Sequence, residues 1–198
     1  MRQILFFLPR VIFVFIFSFI IFSLIRTRFF KEYKYKSNSK REFVYSLFAG
    51  YASALSLILF MPNAYLSNKG IELSSNNFDF IGDFKERIHQ GNWGVNIVPF
   101  KTIKNYMKYS TSYFHIFSNI IGNILIFIPL AYMLIYLYKP LRNLKNFIIT
   151  LTLISFFIEF FQFFMGRSVD IDDIILNLLG GLIAYLIFNL KSHFDQKD

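Results

Sequence analysis

Residues 147–190 read FIITLTLISFFIEFFQFFMGRSVDIDDIILNLLGGLIAYLIFNL, two apolar runs joined by the polar connector GRSVD. The runs, 147–165 and 171–190, each approach the ~20 residues that a helix needs to cross the hydrocarbon of a bilayer. Helices that are apolar on nearly every side have no solvated face, so lipid or protein must surround them. The few polar residues keep helical spacing. Ser155, Glu159 and Gln162 fall at i, i+4 and i+7, and Asp170, Asp173 and Asn177 fall at i, i+3 and i+7 at the start of the second run. Each set lies on one helix face. A carboxylate at a helix centre in hydrocarbon costs roughly 2.5–3.5 kcal/mol on the insertion scale. Glu159 therefore requires a partner, a proton or a water-filled cavity, and the two stripes must face an interior.

Three further apolar runs, 4–25, 43–61 and 116–138, extend this pattern to an all-α integral membrane protein, a bundle of about five transmembrane helices. Composition agrees: hydrophobic residues make up 55% of the 198, aromatics 21% and charged residues 17%, with Phe at 28 positions. A soluble chain of this length could not bury so many large apolar side chains. The first run contains Pro9 and Arg10, and Arg10 is expected to snorkel to an interface. That run lacks a small-residue cleavage site and ends in Arg26-Thr27-Arg28, so it is expected to be a retained helix and not a signal peptide. The organisation expected is a first helix with a basic connector (1–42), a membrane domain (43–190) and a short tail (191–198).

Basic residues set the orientation. Arg26, Arg28, Lys31, Lys34, Lys36, Lys40 and Arg41 crowd the first connector, and Lys139, Arg142 and Lys145 the one after the third run. Five spans put both on one side, together with Lys191 and Lys197. The expectation is an external N-terminus, a cytoplasmic C-terminus, and external placement of the long loop 62–114 and the connector 166–172. The formal net charge of +9 then matches anionic lipid headgroups, with no nucleic acid expected as a partner.

The third run also carries polar residues, Asn119 and Asn123, four apart with Gly122 beside them. Three helices thus present polar stripes near one end, and these satisfy one another only around a common interior. Structural readings stand beside the functional one. The two asparagines also suit interhelical hydrogen bonding. Asp170, Asp172 and Asp173 stand where they can cap their own helix and complement its dipole, the favoured reading for Asp172. Arg167 is expected as counter-charge to the carboxylates. Gly180, Gly181 and Ala184 are explained by close helix packing, and Pro129 is expected to kink the third helix. Trp93 and Phe100 suit interfacial anchoring. Cysteine is absent, His89, His115 and His193 lack ligand spacing, and no phosphate loop or nucleophile motif occurs. No cofactor is expected.

Three stretches resemble the VanZ-like family of bacterial membrane proteins: NIVPF at 96–100, NIIGNILIFIPL at 119–130 and, most specifically, EFFQFFMGRSVDIDDIILNLLGG at 159–181. The residues matching the family pattern are Glu159, Gln162, Arg167, Asp170, Asp173, Asn177 and Gly180. Ala131 stands where the family often has Gly. The resemblance covers roughly residues 45–190. It implies a multi-pass protein of the bacterial plasma membrane. Because the family's namesake is associated with low-level teicoplanin resistance, it also implies a link to the cell envelope. The expected site is an external cluster of Asn119, Asn123, Glu159, Gln162, Arg167, Asp170, Asp173 and Asn177 binding a cell-wall precursor or glycopeptide. The alternative is a membrane-embedded enzyme on a lipid-linked or cell-wall precursor, with the carboxylates as acid and base or as ligands of a divalent cation. A transporter coupled through Glu159 is a third reading, weakened by the lack of an inverted repeat.

Overall fold

Backbone polar groups have no water to bond inside a bilayer, so each apolar run closes its hydrogen bonds on itself as a helix. In the computed structural model, which describes residues 2–35, 37–60, 89, 94–109, 113–164 and 168–194, the helices are α1 (Arg2–Phe29), α2 (Lys31–Tyr35), α3 (Ser39–Leu59), α4 (Lys101–Tyr109), α5 (Tyr113–Leu137), α6 (Leu144–Phe164) and α7 (Ile171–Phe194). A 3-10 turn at Lys139–Arg142 joins α5 to α6. Among the described residues five helices are long and apolar enough to span a membrane: Phe6–Phe29, Ser39–Leu59, Ile120–Leu137, Leu144–Phe164 and Ile171–His193. The protein is an all-α membrane bundle with the five spans expected from sequence. The chain forms two compact units, Met1–Met61 and Pro62–Asp198.

In the first unit α1 packs on α3. Arg10 donates to the Phe6 carbonyl at 2.6 Å and lies 3.8 Å from the Phe6 ring centroid, which gives its guanidinium partners on its own helix. Asn38 caps α3 by accepting the Lys40 amide. Arg26 binds both oxygens of Glu42, at 3.0 and 2.6 Å, and ties the end of α1 to the first turn of α3. The planar guanidinium matches a carboxylate in this two-point geometry. At Gly50 an added Cβ would stand 2.9 Å from the Phe15 carbonyl oxygen, so the two helices approach at backbone distance there.

The second unit holds α5, α6 and α7. Asn143 accepts the Lys145 and Asn146 amides and starts α6. The buried stripe of α6 is Phe147, Leu151, Ser155, Glu159 and Gln162. One continuous face is thus apolar at one end of the helix and polar at the other. Leu153, Phe156, Phe157, Phe160, Phe161 and Phe164 are exposed on the remaining surface, as a lipid-facing surface requires. The apolar end is closed by Tyr185, whose hydroxyl donates to the Arg142 carbonyl at 2.6 Å. There the Phe147 and Tyr185 rings lie 5.2 Å apart.

Gly180 and Gly181 decide how closely α7 approaches its neighbours. Neighbouring residues on a helix point about 100° apart, so the two serve different partners. A Cβ at Gly180 would run into the backbone of Ile124 on α5, and one at Gly181 into the Leu151 side chain on α6. Ala184, one turn on, is fully buried. The helix α5 runs through Pro129 without interruption.

One departure from pure helix appears at the polar end. Val95–Asn96 (β1) and Val169–Asp170 (β2) form a two-residue parallel bridge, Val95 beside Val169 and Asn96 beside Asp170. The Val169 amide donates to the Gly94 carbonyl at 2.9 Å. Hydrophobic periodicity could not foretell it, because the bridge satisfies backbone groups of two connectors remote in sequence.

Candidate functional site

The polar ends of α6 and α7, the β2 residues that lead into α7 and the segment leading into α4 meet at one end of the second unit. Glu159, with 2% of its surface exposed, reaches from α6 and accepts the Asp170 amide at 3.1 Å. Asp170 is buried too. Its Oδ1 accepts the Asn96 side-chain amide and the backbone amide of Asp172, both at 2.9 Å. The second bond makes Asp170 the N-cap of α7, satisfying a donor that a helix start leaves open. Asn96 also donates to the Thr102 hydroxyl at 3.0 Å, and its own oxygen accepts the Val98 amide at 3.2 Å.

Asp172 departs from the capping role expected for it on its own helix. It is 1% exposed and accepts the amides of Phe100, Thr102 (2.9 Å) and Ile103 (3.2 Å). It therefore caps α4, some seventy residues earlier in the chain. The geometry of α7 requires this. Residues 170, 173 and 177 share one face, whereas 172 points away from them and must find a partner elsewhere. A carboxylate at a helix N-terminus meets both open N–H groups and the positive end of the dipole. Phe100 adopts a left-handed φ of 63° just before α4. For a non-glycine residue this costs of order 1–2 kcal/mol, which the Asp172 bonds offset.

Asp173 is partly exposed, and its Oδ1 accepts the Asn123 side-chain amide of α5 at 2.6 Å. Gln162 and Asn177 are buried, as is Ser155. Among the described residues the Asn177 carbonyl oxygen and the Ser155 hydroxyl have no hydrogen-bond partner. Asn119 lies in α5, one turn before Asn123, and its side chain is outside the described residues. Arg167 is outside them as well, together with Trp93 and most of the long loop.

The structure thus joins Glu159 to Asp170, Asp170 to Asn96 and Asn123 to Asp173, drawing on α5, α6, α7 and the β1–α4 segment. The site expected from sequence does not include Asp172, Asn96, Thr102 or Ser155. A signal for Asp172 was its place off the face of its neighbours, and for Asn96 its position before a Val-Pro turn, where Asn folds back on the backbone. Among the described residues no group of three or more His, Asp or Glu stands together as a metal-binding set. The cluster is rich in carboxylate and amide oxygens, so it suits ligands that bring N–H, O–H or ammonium donors.

Comparison with known proteins agrees with the sequence resemblance. A model of the VanZ/LLP1 family matches residues 48–192. The protein VanZ of Enterococcus faecium is 31% identical over 105 residues, covering 52% of this chain and 58% of the relative's length. No solved structure matches the chain.

Proposed function

The chain belongs to the VanZ/LLP1 family, and on that premise we propose that it is a cell-envelope membrane protein whose carboxylate cluster binds an envelope ligand from the external face and thereby lowers susceptibility to teicoplanin. The observation that carries this reading is the gathering of Glu159, Asp170 and Asp173 with Asn96 and Asn123 at one end of a membrane-spanning unit. Such a cluster presents acceptors. Cell-wall precursors and glycopeptides are rich in amide N–H, hydroxyl and ammonium donors, so the chemistry is complementary. Buried carboxylates in a bundle are expensive to maintain and mark functional sites by default. Within the cluster Asp173 is the most accessible of the three carboxylates, which supports choosing it as the residue to test.

The test is teicoplanin susceptibility, with vancomycin and an unrelated antibiotic as controls, in a susceptible Gram-positive host. Wild type is compared with Asp173→Asn at matched membrane levels. The amide keeps the shape and can still accept from Asn123, so folding is preserved while the charge is lost. The expected result is teicoplanin-selective protection by the wild type and its loss in the variant. Equal protection from both would remove the carboxylate from the function, and no protection from the wild type would detach the chain from resistance.

A further inference from the structure

Helix α4 (Lys101–Tyr109) is amphipathic in a way that its own stability does not explain. Lys101, Lys104 and Lys108 fall at i, i+3 and i+7 and form one stripe, with Lys101 in the first turn. Positive charge in a first turn opposes the helix dipole. Asp172 compensates from α7 by accepting the Thr102 and Ile103 amides. The arrangement keeps a basic residue where a helix alone would disfavour it. On another flank of the same helix Met107 is 72% exposed, and Ile97 and Phe100 just before it are exposed as well.

The position of α4 along the membrane normal is fixed by what holds it. Its N-terminus is bonded to the first turn of α7, a span beginning at Ile171. Its last residue, Tyr109, precedes by a few positions the start of α5 at Tyr113. Both ends are thus tied to helices that cross the bilayer, and a nine-residue helix so tied is confined to the boundary between hydrocarbon and water. At that depth an exposed apolar flank beside a lysine stripe matches acyl chains on one side and phosphate groups on the other.

We infer that α4 is an interfacial helix that binds anionic phospholipid headgroups through Lys101, Lys104 and Lys108 while Met107, Ile97 and Phe100 enter the acyl boundary. The occupant is the bilayer surface itself. Charge complementarity selects anionic over zwitterionic lipid, since each lysine near such a surface contributes attraction that a neutral headgroup lacks. By holding the α4 N-terminus against Asp172, the headgroups steady the segment that carries Asn96 and Thr102 into the carboxylate cluster.

The chain contains no cysteine, so a single reporter can be placed. Met107→Cys, labelled with an environment-sensitive fluorophore, is reconstituted as the full-length protein in nanodiscs of phosphatidylcholine with increasing brominated phosphatidylglycerol. The reference is brominated phosphatidylcholine at equal content. A label at Phe160→Cys, on the lipid-facing surface of α6, reports whether the bundle is intact. The expected result is quenching at position 107 that is stronger with brominated phosphatidylglycerol. That preference should weaken in high salt and fall by about five-fold per lysine replaced in Lys→Gln variants at 101, 104 and 108. The Phe160 label should be quenched equally by the two brominated lipids at equal content and be indifferent to salt and to the lysine substitutions. Equal quenching by both lipids would make α4 an apolar anchor without headgroup selection and overturn the inference. Absence of quenching at 107, with normal quenching at 160, would place α4 in water and overturn it as well.

Discussion

At the scale of single residues, three neighbouring aspartates have three separate duties. Asp170 caps its own helix, Asp172 caps α4, and Asp173 meets Asn123 on α5. Their different orientations follow from the helix turn, because 170 and 173 share a face that 172 does not. Asp172→Asn retains size but replaces a carboxylate that receives three amides with a neutral group that also brings its own donors. It should destabilise the α4 attachment by roughly 1.5–3 kcal/mol, the range for hydrogen bonds to charged groups. Hydrogen exchange in detergent reads this locally. The Phe100, Thr102 and Ile103 amides should lose protection while those in the middle of α6 keep theirs. Unchanged protection at 100–103 would mean that the carboxylate charge does not hold the helix start. The aspartates were legible in the sequence as a polar stripe and a set of caps. Which one caps which helix was not, since the partner of Asp172 lies at Phe100–Ile103 and no local spacing connects them.

At the scale of elements, the spans were legible because a bilayer imposes length and apolarity on any helix that crosses it. The contact chemistry between them was only half legible. A Gly-Gly-x-x-Ala spacing signals close approach, but which neighbour each glycine admits depends on the rotation of α7 in the unit. Gly180 faces backbone and Gly181 faces the movable end of a leucine side chain. A methyl group at 180 must therefore push α5 away, whereas at 181 Leu151 can shift its rotamer. Gly180→Ala should cost about 1–3 kcal/mol, as overpacking does, and Gly181→Ala clearly less. Thermal unfolding of the two purified variants in the same detergent gives the order, and an equal or inverted order would contradict the assignment of neighbours. Glu159 illustrates the same division. Its spacing from Ser155 and Gln162 announced an inward face, and that face continues through Phe147 and Leu151. The amide that meets it belongs to Asp170, eleven residues further along the chain and outside its helix.

At the scale of the whole molecule, the lysine and arginine bias predicts an external α4 and a cytoplasmic α5–α6 turn. Two single-cysteine variants of this cysteine-free chain test it, Asn105→Cys on the exposed side of α4 and Lys139→Cys at the 3-10 turn. A membrane-impermeant maleimide should label position 105 in intact cells and position 139 only after permeabilisation. The reverse pattern would invert the topology and move the carboxylate cluster to the cytoplasmic face. A helical membrane protein with five spans and inward polar stripes was already legible in the order of residues. Those facts depend on run length, composition and helical period, which are local properties. That Asn96 and Thr102, from a segment outside every span, complete the cluster and that Asp172 fastens α4 to the head of α7 emerges from the folded packing. The physical reason is that buried donors and acceptors must be paired wherever a partner can be brought within about 3 Å. In a chain whose apolar runs fix the helices and leave the connectors free, that pairing is settled by how the spans pack.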